Sequence, residues 1–188
     1  MIRILTNGAG LIFMKIGIHA QEGVEDIIAR KKREYEQAGM IFWGYGGNTC
    51  HPTTFIQPFA KTQAEHQAQV FLMMHKMTSN HNADPVSAKQ YSEDGIEWKP
   101  IPEGIQVVGS RYAMVIGNLT EEQFDLNLRN LVVAMGPKRG ALGTDYIQGH
   151  VDKGCFEYHE RAETPEETEL KHIDLYSPLK PPYAVFLK

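Results

Sequence analysis

MKIGIHAQEGVEDIIARKKREYEQAGMIFWGY (residues 14–45) changes its hydrophobic period twice, and that change decides the fold class. Residues 14 to 20 alternate loosely between apolar and other side chains, which predicts a strand. From Val24 onward the period lengthens. Val24, Ile27, Ile28 and Tyr35 then share one helical face, leaving Glu25, Arg30, Lys32, Arg33, Glu34 and Glu36 on a solvated side. Gly39 is placed to end this helix, and the aromatic run from Ile41 to Tyr45 predicts a second strand.

Working outward, Val70 to Met77 is the most apolar run and reads as a buried strand. A short helix is expected before it, capped by Thr53 or Thr54, with Pro58 limiting its start. Thr120 and Gln123 form a capping-box pattern ahead of a stripe of Phe124, Leu128, Leu131, Val132 and Met135, which predicts the other main helix. Gly136-Pro137 would stop it. Short extended segments are expected at 96–102, 105–108, 112–116, 173–176 and 183–186. The polar stretch 79–95 reads as a long exposed loop of the kind that serves as a lid. Strands outnumber helices and do not alternate with them regularly. The expectation is an α/β chain of the α+β type: one domain, with a mixed or mainly antiparallel sheet and about two main helices packed on it. Met14 makes a natural start, so the first 13 residues read as an N-terminal extension and residues 14–188 as the globular domain.

Composition narrows the partners. The 42% hydrophobic and 22% charged shares are those of a globular protein. A net charge of -4 supplies no basic face for duplex nucleic acid. No apolar run approaches the roughly 20 residues of a membrane span, so no membrane partner is expected. Two cysteines make no disulfide framework, and with no secretory signal a cytoplasmic location is expected.

The densest chemistry lies in Phe42-Trp43-Gly44-Tyr45-Gly46-Gly47-Asn48-Thr49-Cys50-His51-Pro52. Glycines let backbone approach a ligand, and successive N–H groups in such a turn form an anion nest. Trp43 and Tyr45 offer faces for stacking a base. Asn48, Thr49, His51 and the nearby Gln57 add hydrogen-bonding groups. The competing account is a tight turn whose aromatics plug the core. Neither a phosphate-loop nor a dinucleotide fingerprint is present, and no cofactor is expected. Cys50 and His51 are neighbours whose side chains do not face each other in most backbones, so they make a poor catalytic dyad.

A second segment, Gly136 to His150, carries Lys138 and Arg139 beside Gly140, Gly143 and Thr144, a cationic loop suited to phosphate. Its competing account is ordinary helix termination, where positive charge suits the dipole. Arg111 either enters a pocket or faces water. Cys155 and His159, like the other histidine spacings, match no zinc framework, and no metal is expected.

Trp43-Gly-Tyr-Gly-Gly followed by Cys50-His51-Pro52 and Gln57-Pro58-Phe59 resembles a pattern in uncharacterised small proteins of bacteria and their phages. In size and style the chain is also similar to phage proteins that sequester nucleotide immune signals. The resemblance implies an anti-defence role and carries no catalytic residue. The leading expectation is non-enzymatic binding of a nucleotide-like, phosphate-bearing small molecule. Trp43 and Tyr45 would stack the base, Gly46, Gly47 and Thr49 would approach phosphate or ribose, and Lys138, Arg139 or Arg111 would balance charge. One alternative is an enzyme acting on a nucleotide or nucleic-acid component, with His51 as acid/base and Cys50 or Asp145 as partner. Another is a protein-protein inhibitor contacting its target through 79–95. A homo-oligomer is expected, because small ligand-binding domains often complete their pockets across a symmetric interface.

Overall fold

The computed structural model describes residues 4–45, 52–148, 153–161 and 168–188. Its architecture is α+β. A mixed sheet runs in the order β2-β6-β11-β3-β1-β9-β8. The strands are β1 (Gly10–His19), β2 (Ile41–Tyr45), β3 (Val70–His81), β4 (Gln90–Ser92), β5 (Lys99–Pro100), β6 (Tyr112–Ile116), β7 (Phe124–Asn127), β8 (Leu131–Val133), β9 (Lys153–Tyr158), β10 (Leu170–Ile173) and β11 (Leu175–Leu187). β4 and β5 extend the sheet beside β11, and β7 pairs with β10 in a separate ribbon. β1 and β3 run parallel, and the other pairings are antiparallel.

Period-2 alternation explains the layers. Ile12 and Ile16 point to a face covered by α1 (Val24–Ala38) and α2 (Gln57–Glu65), while Leu11 and Phe13 point to the opposite face. There they meet Leu126, Leu131, Phe156 and Ile173 beneath the β7–β10 ribbon. None of the helices among the described residues is long and apolar enough to cross a membrane.

The first strand and helix form as expected, and Gly39 closes α1 at a φ of 71°, its N–H donating to the Tyr35 carbonyl. β1 reaches back to Gly10, so Leu11, Ile12 and Phe13 are core residues. Other segments differ. The helix predicted after Thr120 is absent: 124–127 is β7, 128–130 a 3-10 turn and 131–133 β8. The Asn127 side chain accepts from Arg129 N–H at 3.1 Å and breaks the backbone path locally. Leu126, Leu128, Leu131 and Val133 are then buried by strand partners far away in sequence, which outweighs local helical propensity. Thr120 caps nothing and instead exchanges backbone hydrogen bonds with Tyr176. The stretch 79–95 is also no simple loop, because β3 continues to His81 and β4 occupies 90–92.

Glu34, assigned to the solvated side of α1, is buried together with Lys31. The Lys31 ammonium donates to both Glu34 oxygens and to the carbonyls of Phe42 and Gln106. Glu34 in turn accepts from the N–H groups of Phe42 and Gln106. The pair stitches edge strand β2 to the 105–108 segment, supplying partners that a neighbouring strand would otherwise provide.

The sheet is strongly coiled. Tyr45 ends β2 and Lys153 begins β9, five places apart in strand order, yet the Lys153 ammonium lies 5.1 Å from the Tyr45 ring centre. Five inter-strand spacings in a flat sheet would separate them by about 24 Å. The sheet therefore curls toward an open barrel, with a cavity at its mouth.

Candidate functional site

The cavity has a volume of about 310 Å³, at the small end of the range for small-molecule sites. It lies between α1 and the carboxyl ends of the parallel strands β1 and β3, the position where open α/β sheets take their ligands. Trp43, Gly44 and Tyr45 form one wall, Val107, Val108 and Ser110 another, and Lys153 enters from β9. Val24 and Ile27 of α1 close the apolar side. Its lining, among the described residues, contains no carboxylate.

The backbone around this mouth is shaped by two close approaches. Gly17 sits where the β1–β3 register shifts between Ile16 and Ile18, and a Cβ there would fall 2.0 Å from Ser79 Oγ and 2.7 Å from the Ser79 carbonyl oxygen. Gly44 lets the 107–110 segment close on β2, since a Cβ would stand 2.5 Å from Ser110 Oγ. After β1 the chain turns through Ala20 and Gln21 at φ values of 48° and 66°, a left-handed conformation uncommon for residues other than glycine. Such strain is held by surrounding contacts and clusters at functional sites. His19 N–H donates to Glu22 O and Ala20 N–H to His81 O, and Arg30 grips both Glu22 carboxylate oxygens from α1. Arg30 thereby holds the Glu22 carboxyl below its ordinary range.

This turn presents His19 beside His81. Their rings stack at 5.1 Å with planes 11° apart. Burial pushes the His19 imidazole toward its neutral form, and the neighbouring His81 works in the same direction against a carbonyl hydrogen bond from Val108. Two imidazolium charges at that spacing would repel by about 3 kcal/mol in a medium of effective dielectric about 20. His19 Nε2 lies 3.1 Å from the Val108 carbonyl oxygen, which only accepts, so this nitrogen carries the proton. Ser110 Oγ is 3.3 Å from the same nitrogen. A nitrogen already donating to a carbonyl has no lone pair with which to take a proton from Ser110. Burial also pushes the Lys31 ammonium down to about 8, with Glu34 pulling the other way. Its donors are committed to the β2 stitch described above.

Of the residues singled out in the sequence, Trp43 and Tyr45 line the cavity, although both are buried in the core cluster of the α1 face. They therefore plug the core on one side and form cavity wall on the other. Gly46, Gly47, Asn48, Thr49, Cys50 and His51 lie outside the described residues, as does His150. Gln57 is buried elsewhere, donating to the carbonyls of Glu93 and Ala184, and it lines a separate open depression with Lys61, Asp94 and Tyr183. Arg111, Lys138 and Arg139 are exposed and do not line the cavity. Thr144 belongs to the one-turn helix α3 (Gly143–Tyr146), which also holds Asp145, and neither lines the cavity. The cationic loop does approach the far end of the aromatic segment, because Gly136 packs against the Phe55 ring. Sequence reasoning missed His81, Ser110 and Lys153, and considered His19 only as a possible partner of Cys50. The signal that points toward them is glycine at Gly17 and Gly109, within or beside strands, where close backbone approach is the usual reason.

Among the described residues no group of three or more His, Cys, Asp or Glu is placed to hold a metal ion. No protein-family model, no curated protein and no solved structure matches the chain.

Proposed function

We propose that the protein binds, without turning over, an anionic small molecule with a flat ring: a nucleotide-like, phosphate-bearing ligand held in the cavity at the mouth of the sheet. The observation that carries this reading is the lining itself. Aromatic walls from Trp43 and Tyr45 stand beside the Lys153 ammonium, two histidines and the hydroxyls of Ser79 and Ser110, with no carboxylate among the described lining residues to repel an anion. Stacking on aromatic faces is tolerant of the base, and the cation supplies the pull on phosphate. The role assigned from sequence to Lys138 and Arg139 passes to Lys153.

The donated Nε2 proton of His19 favours binding over chemistry, because it denies Ser110 a general base. Binding without turnover is also what sequestration of a nucleotide signal requires, the role that the sequence resemblance implies. The test is to incubate the protein with a nucleotide panel, heat-denature it and analyse what is released. Recovery of intact ligand, with a rise in Tm of several degrees at saturation, is the expected result. Recovery of a chemically altered ligand would replace binding by catalysis. The absence of both recovery and a Tm shift across the panel would end the reading.

A further inference from the structure

Stacking suits two neutral imidazoles and penalises two charged ones, so the state of the His19–His81 pair depends on what faces it. Glu22 approaches from the turn after β1, but its oxygens are engaged by Arg30. Lys31 of α1 lines the same cavity but is paired with the buried Glu34, while Lys153 of β9 and Lys15 of β1 also line it. Apart from Glu22, which favours a proton on His19 but is engaged by Arg30, the described lining offers no carboxylate to compensate a proton added to the pair. An incoming anion would compensate it.

We infer that the His19–His81 stack is the anion-recognition element of the cavity, selecting a dianionic phosphomonoester and taking up a proton as it binds. This rests on the binding reading above. A phosphomonoester carries nearly two negative charges at neutral pH, since its second pKa is about 6, whereas a diester carries one. Lys153 answers the first charge. The second is answered by converting one imidazole to imidazolium, which also gains a donor. For His19 the proton comes from solvent onto Nδ1, because Nε2–H is already given to Val108. No bond to phosphorus forms or breaks.

Isothermal titration calorimetry decides the matter. AMP, GMP, CMP, UMP and inorganic phosphate are each titrated into the full chain at about pH 7.5, where the phosphomonoester is a dianion. Buffers of different ionisation heat report proton uptake directly. Uptake of about one proton is expected, with affinity falling up to about tenfold per pH unit above neutrality. H19Q, which removes the imidazole whose Nδ1 takes the proton, should abolish the uptake and weaken monoester binding. In the wild type the imidazole nitrogen resonances should move to protonated values on adding the monoester, a readout that needs no variant. Monoester binding with no proton uptake and unmoved resonances would overturn this inference and leave the binding reading intact. Binding of cyclic or diester nucleotides with no monoester binding would do the same. Failure of every phosphate compound to bind would overturn both.

Discussion

Lys31 and Glu34, three residues apart on α1, act as a surrogate strand: between them they bond the N–H and the carbonyl of both Phe42 and Gln106. Removing either partner strands a buried charge beside unmatched backbone groups. E34A or K31A should therefore cost about 3–5 kcal/mol in chemical denaturation, far more than a surface ion pair. The double variant K31M/E34M should lose less than the sum of the two singles, because it leaves no uncompensated charge. Additive losses would mean that the two residues act separately.

G17A should destabilise the fold by about 1–3 kcal/mol, because the added methyl meets Ser79 from both its hydroxyl and its carbonyl. S79A relieves only the hydroxyl contact. The double variant G17A/S79A should thus remain well below S79A in Tm, and full recovery would show that the backbone contact is soft.

The pH response of stability has a contribution from His19, with His75 lowered by burial in the same direction. The folded-state pKa of His19 is lowered by burial, so below the ordinary histidine pKa the unfolded chain binds a proton that the native chain resists. Stability should fall as pH drops from about 6.5, until the lowered folded pKa is passed. H19Q should reduce the slope in this window and leave the part that His75 contributes. An unchanged slope in H19Q would assign the effect to other groups.

Lys153 and the exposed pair Lys138 and Arg139 separate two accounts of where an anion sits. K153M should weaken phosphate-ligand binding about tenfold, a loss of about 1.4 kcal/mol. K138A/R139A should leave affinity unchanged and shift stability by no more than about 0.5 kcal/mol. The reverse ranking would move the site to the 136–140 turn. Fluorescence of Trp43 in a W98F background is a direct readout, since Trp98 lies apart under the Lys188 ammonium.

What was legible in the sequence depended on whether a signal was local. The α1 boundary at Gly39 and the strand at Ile41–Tyr45 could be read because each is decided by its own residues. The mixed sheet with few helices could be read because the strand segments outnumber the helical ones. The segment 124–133 could not, since apolar residues at Leu128 and Leu131 satisfy a helical stripe and a strand-turn-strand equally. Long-range partners in β9 and β10 decide between them. Charged Glu34 was unreadable as a buried group for the same reason: its partners at Phe42 and Gln106 come from other elements. Trp43 and Tyr45, singled out by residue type, do line the cavity. His19, His81 and Lys153 were not legible as its lining, because only the curl of the sheet brings them to one cavity.

The place of β1 between β3 and β9 sets a constraint on the chain as it is made. β1 has β3 on one side and β9 on the other, so its second neighbour is not synthesised until residue 153 and beyond. Until then Leu11, Ile12 and Phe13, among the most deeply buried side chains in the finished fold, belong to a strand with an open flank. For most of its synthesis the nascent protein therefore carries an apolar strand with one unpaired flank, a state in which association between chains competes with completion of the sheet.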